Sequence, residues 1–284
     1  MPRRLRRLAP YLFLVPGGLW LVIFFVVPLL VMASVSLQEG SLGTGFRLTW
    51  NFGVYPEMVS EWNVQFVRSI VYALLVTALT LVIGYPLAYT IAFRGGRAKN
   101  ILLLLVILPF FTAFVIRTLA WKLILADNGF VLGTLKDFGL LEPSAQVLAS
   151  PVAVIGGLTY NFLPFMVLPL YVSLEKIEPH LVEAATDLYA SRLSAFLRVT
   201  LPLSMPGVFA GSLLVFIPTI GDFINADLLG SRDTTMIGNV IQRLFLQTNA
   251  YPEAAALSFV LMAAVLVLVG IYARVVGAEE LTRG

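Results

Sequence analysis

The sequence has no cysteine and a single histidine, His180, among its 284 residues. Disulfide frameworks, thiol nucleophiles and Cys/His zinc sites are thereby excluded. Charge is scarce too. Asp, Glu, Lys and Arg make up 12% of the chain, about half the share of an ordinary soluble domain. The 19 basic and 16 acidic residues leave a net charge of +3, with no basic stripe of the kind that binds nucleic acid. No Gly-x-x-x-x-Gly-Lys-[Ser/Thr] loop occurs, so this chain is not built to hydrolyse ATP. Nor is there an internal repeat, a low-complexity tract or a convincing catalytic constellation, since His180 stands beside Pro179 in a polar stretch.

What is present is apolar length. Hydrophobic residues make up 59% of the chain, and the mean hydropathy is +0.90. Six long intervals carry no charged side chain: 8–38, 69–93, 100–116, 143–174, 199–221 and 254–273. A helix needs roughly 20 apolar residues to cross the hydrocarbon of a bilayer, and five of the six intervals are that long. The third stops at Arg117, but Thr118 to Trp121 and Leu123 to Leu125 continue its pattern, so the expected helix runs to about residue 125. The expectation is an all-α integral membrane protein in a lipid bilayer, with six transmembrane helices in one domain over 1–284. Pro28, Pro86, Pro109, Pro164, Pro169 and Pro218 fall inside the expected helices, where each removes a donor and favours a kink.

Orientation follows from the basic residues. Arg3, Arg4, Arg6 and Arg7 precede an apolar stretch too long for a cleaved signal peptide, which suggests a retained first helix with a cytoplasmic N-terminus. An even number of crossings returns the C-terminus to the cytoplasm. This arrangement puts twelve basic residues inside and seven outside, in agreement with the positive-inside rule. Loops around 40–62, 127–149 and 231–253 then face outward.

The cytoplasmic segment 175–205 between helices four and five is the most specific part of the chain. A helix starting at Pro179 would set Leu181, Ala184, Ala185 and Leu188 on one side and Glu183 and Asp187 on another. Paired alanines permit close approach of a second protein, and a neighbouring carboxylate can take a charge-assisted hydrogen bond from it. Glu183-Ala184-Ala185, three residues, Tyr189, nine residues, Val199, one residue and Leu201-Pro202 resemble the EAA loop of ATP-binding-cassette (ABC) importer permeases. Tyr189 stands where that family usually has glycine, and Val199 where it usually has isoleucine. Arg117-Thr118-Leu119-Ala120-Trp121, Phe216 to Phe223, Asp227 to Gly230 and Met236 to Asn239 extend the resemblance to the spermidine/putrescine branch.

The resemblance implies a type I importer permease fold in the bacterial inner membrane. It implies an ATPase dimer, a second permease subunit and an extracytoplasmic substrate-binding protein as partners. It also assigns ATPase coupling to Glu183, Ala184, Ala185, Asp187, Tyr189, Leu201 and Pro202. The chain itself is expected to bind no cofactor or metal, ATP and magnesium being used by the partner. A permease for another small solute, an ion-coupled secondary transporter and a membrane-embedded enzyme are the competing classes. Neither of the last two accounts for the spaced loop.

For the substrate path or its gate, the candidates are Asp222, Arg117, Trp121, Tyr160 and Asn161, because polar groups inside membrane helices are costly. Arg117 and Asp222 each lie sixteen residues along their expected helices, about 24 Å at 1.5 Å per residue. Equal depth suggests an ion pair between them, or interfacial anchoring. The alternative is a gate or cation-recognising carboxylate, with Trp121 one turn beyond Arg117 offering an aromatic face. Asn161 suits a helix-to-helix hydrogen bond.

Overall fold

The computed structural model describes residues 14–140, 142, 144, 146–178, 180–181 and 191–281. Helix dominates, as expected of a chain that must satisfy its backbone polar groups without water. In order come α1 (Leu14–Ser36), the hairpin β1 (Gln38–Ser41) and β2 (Gly45–Leu48), α2 (Val54–Glu61) and α3 (Asn63–Arg94). Then follow α4 (Lys99–Ile107), α5 (Phe114–Ile124), α6 (Phe130–Asp137), α7 (Pro151–Glu175), α8 (Leu201–Ile220), α9 (Ile224–Leu229), α10 (Ile237–Leu246) and α11 (Tyr251–Leu281). The loops expected to face outward are therefore structured, by the hairpin with α2, by α6 and by the amphipathic α10.

Among the described residues, five helices are individually long and apolar enough to span a membrane, and a sixth span forms if α4 and α5 count as one bent crossing. Here the structure corrects the sequence reading. The third helix is not continuous to residue 125: it bends by 92° between Phe111 and Phe114. Pro109 sits in a 3-10 turn, Leu108–Phe111, and Thr112 and Ala113 then turn extended, with ψ of 140° and 138°. Because a proline ring clashes with the carbonyl four residues earlier, the chain tightens at Pro109 and restarts.

Two other prolines are accommodated by widened turns. The N–H of Val27 reaches back five residues to the Val22 carbonyl in the π-helical turn before Pro28. Leu201 does the same to Phe196, just ahead of Pro202 in the first turn of α8. Pro86, Pro164, Pro169, Pro206 and Pro218 lie inside long helices.

Contacts divide the chain into two compact units. The first comprises Met1–Trp62 and Ile241–Ala264. In it the Tyr251 ring sits 5.5 Å from Phe46 and 5.1 Å from Phe245, and the buried Ser36 hydroxyl meets Tyr55 at 2.7 Å. The apolar window of α1 buries none of its residues, as suits a helix that is hydrophobic all round.

The second unit comprises Asn63–Val240 and Val265–Gly284. Its core is α3, α7 and α8, with Val76, Ile91, Leu158, Met166, Leu170 and Val215 fully or almost fully buried. The backbones of α7 and α8 approach closely because α8 carries glycine at the crossing. A Cβ on Gly211 would lie 2.7 Å from the Met166 sulfur, and one on Gly207 would lie 2.7 Å from the Pro169 carbonyl oxygen. Small residues serve this purpose where lipid supplies no hydrophobic drive between helices.

Candidate functional site

The bend at 112–113 decides which face α5 presents to α7. After it, α5 restarts with the Arg117 N–H bonded to the Ala113 carbonyl, and Arg117 and Thr118 turn into the second unit. α8 ends at Gly221, with φ −96° and ψ 4°, and the chain turns at Asp222 into the short α9.

These two breaks bring four elements together around a buried polar seam. Asp222 accepts the Asn225 backbone N–H at 2.8 Å and its side-chain N–H at 3.2 Å. The carbonyl oxygen of the Asn225 side chain accepts from Asn161 of α7 at 3.0 Å, and the Thr118 hydroxyl of α5 lies 3.2 Å from that oxygen. Asn161 also donates to the Thr118 hydroxyl at 3.2 Å. Thr118 and Asn225 are fully buried, and Asn161 is 1% exposed. Polar groups so far from solvent are tolerable because they bond one another, although the Asn161 carbonyl oxygen has no hydrogen-bond partner among the described residues. Asp222 lies past the end of the span that finishes at Ile220. Burial pushes its carboxyl up to about 6, while the donors of Asn225 and Ala226 limit the rise.

Asn161 thus makes the helix-to-helix bonds expected of it. The expected Arg117–Asp222 ion pair is not present among the described residues: Asp222 bonds to Asn225, and α5 restarts in a new direction after the 92° bend. Counting sixteen residues along one straight helix therefore misplaces Arg117. Its guanidinium lies over Phe110 at 5.4 Å and Phe114 at 5.7 Å rather than over Trp121. Trp121 instead meets Tyr160 of α7 edge to face at 5.3 Å. Together with Arg117 these two rings border a cavity of about 220 Å³.

The sequence reading does not single out Thr118 or Asn225, although Thr118 stands within a stretch that carries the family resemblance and Asn225 lies between two of them. The available signal was an uncharged polar side chain in an otherwise apolar segment. Of the coupling residues, Glu183, Ala184, Ala185, Asp187 and Tyr189 lie outside the described residues. Leu201 and Pro202 open α8 directly after the π-helical turn Phe196–Thr200. Phe196 of that turn packs edge-on against Tyr85 and Tyr89 of α3, and the Tyr85 hydroxyl meets Ser204 at 2.7 Å. At the other root of the loop, Glu175 pairs with Lys99, which also lies 5.2 Å over the Tyr171 ring.

Comparison with known proteins gives the architecture a family. Residues 81–277 match the family described as binding-protein-dependent transport system inner membrane component. The chain belongs to this family. It is 38% identical over 258 residues to the spermidine/putrescine transport system permease protein PotB of Haemophilus influenzae, covering 90% of each chain. It is 37% identical over 243 residues to PotB of Escherichia coli, covering 85% of this chain and 88% of that one. A solved bacterial ABC transporter chain, involved in import of the acidic polysaccharide alginate, shares the fold with a TM-score of 0.73 at 23% identity, covering 96% of both chains. The protein is thus a multi-pass permease of a binding-protein-dependent ABC importer in the bacterial inner membrane, with a type I permease fold.

Proposed function

We propose that this permease is one of two different permease subunits of an ATP-driven polyamine importer, with both termini in the cytoplasm. Similarity over nine-tenths of the chain to a protein named for spermidine/putrescine transport carries the substrate class. The chemistry of the seam supports it. A polyamine carries several ammonium groups, and Asp222 offers a carboxylate near Asn161, Asn225 and Thr118. Trp121 and Tyr160 add aromatic faces for a desolvated cation. Asp222, Asn161, Trp121 and Tyr160 are the residues assigned to the path.

ATP and magnesium belong to a partner ATPase dimer, which docks on the loop 175–205 through Glu183, Ala184, Ala185 and Asp187. Tyr189, Leu201 and Pro202 belong to the same coupling element. An extracytoplasmic binding protein delivers the substrate, and no cofactor is held by this chain. The test is uptake of labelled spermidine in cells deleted for this gene and complemented by it. Loss of ATP-dependent uptake on deletion, with competition by excess putrescine, is the expected result. Unchanged uptake, or no competition, overturns the polyamine reading.

A further inference from the structure

Arg117 is 7% exposed, and its Nε and Nη1 have no hydrogen-bond partner among the described residues. Stacking on Phe110 and Phe114 offsets only part of the cost of burying a guanidinium. Asp222, the acid of the neighbouring seam, is bonded to Asn225 and makes no ion pair with Arg117 among the described residues. A buried cation without an anion marks a site whose counter-charge comes from elsewhere.

The space beside it fits such a group. The cavity of about 220 Å³ is walled by Ile116, Ala120 and Ile124, which recur at helical spacing on α5, and by Trp121 and Tyr160. Ile116 is 55% exposed and Ile124 is 37% exposed, so this stripe also forms an open apolar rim. Ala120 at its centre allows another helix to come close. A polyamine cannot supply the counter-charge, being a cation itself. A lipid phosphate is favoured by several basic groups together, whereas Arg117 is the only basic residue lining this cavity. One planar guanidinium matches one carboxylate in a two-pronged bond.

We infer that the Arg117 cavity is an interface site that receives a glutamate or aspartate side chain from the second permease subunit. This rests on the proposed two-permease assembly. The α5 stripe then packs against that subunit, and the ion pair fixes the register of the two halves next to the seam around Asp222.

The experiment uses the complete importer in its native membrane, with a photoreactive benzophenone amino acid replacing Ile116 or Ala120. Illumination is expected to link this chain to a peptide of the second permease that contains an acidic residue. In mild detergent, Arg117→Met should lower recovery of the second permease with the tagged chain by at least about tenfold, the scale expected when a buried charge loses its partner. Arg117→Glu should be rescued by reversing the charge of one acid in the linked peptide. Adducts only to phospholipid, to the binding protein or to another copy of this chain overturn the inference, as does failure of every charge-reversed pair. Unmodified importer is purified alongside. If it contains a second permease and an ATPase but the links fall elsewhere, only the interface site fails. If no second permease is recovered, the two-permease reading falls and the inference falls with it.

Discussion

Asn161 of α7 donates to the side chain of Asn225 at 3.0 Å, and the same Asn225 donates its backbone N–H to Asp222 at 2.8 Å. One residue of the short α9 therefore ties the middle of a long helix to the carboxylate at the end of another. Asn161→Leu and Asn225→Leu should each lower uptake and melting temperature. A double-mutant cycle between Asn161→Ala and Asn225→Ala should give a coupling of about 0.6 kcal/mol, the average for polar contacts between membrane helices, and at most about 1.7 kcal/mol. A coupling near zero would remove this link.

The carboxyl of Asp222 gives the permease a pH dependence of known sign. Its pKa is raised to about 6, so its negative charge is lost as pH falls through 6 rather than through the ordinary carboxylate range near 4. Spermidine carries its ammonium charges throughout this range. Uptake in proteoliposomes should fall severalfold between external pH 7 and 5, and Asp222→Asn should be slow at both values with the step removed. A step of equal size in Asp222→Asn would assign it to another group.

Glu183 is expected to act at the ATPase surface rather than in the membrane. Glu183→Arg should abolish uptake and reduce the ATPase recovered with the tagged permease, while the amount inserted in the membrane stays within about twofold. Normal ATP-driven uptake in this variant would remove the docking role.

The Lys99–Glu175 pair holds the root of the loop through partly exposed groups, with 24% and 44% of the side chains accessible. Exposed pairs are worth about 0.2 to 1 kcal/mol, so Lys99→Glu should leave the melting temperature nearly unchanged. The expected loss is in coupling: uptake per ATP hydrolysed falls, and the exchange Lys99→Glu with Glu175→Lys restores it. No recovery in the exchanged pair would show that the contact is incidental.

Gly211 tests the packing of the second unit. Gly211→Leu must push its side chain against Met166, where a Cβ alone would already lie 2.7 Å from the sulfur. Overpacking of this kind costs about 1 to 3 kcal/mol or more, so the variant should melt lower and accumulate less in the membrane. An unchanged melting temperature by fluorescence-detected chromatography would mean that α7 and α8 separate freely.

The sequence by itself determined that the chain crosses a bilayer, where its charge-free intervals lie, and which loop resembles an ATPase-coupling element. These are local properties: a hydrocarbon layer excludes charge along any segment that spans it, and a spaced motif is visible without a fold. The partners of the polar residues were not local. Asn161 could be read as a helix-bonding residue because an amide in an apolar segment needs a partner, yet nothing in the sequence names Thr118 and Asn225 as those partners. Only the tertiary structure decided that Pro109 and the extended Thr112 and Ala113 turn α5 through 92°. Past that turn Arg117 makes no ion pair with Asp222 among the described residues, its guanidinium lies over two phenylalanines, and Thr118 reaches the seam. A proline marks where a helix can break, but the direction in which the chain resumes is fixed by what the next helix packs against.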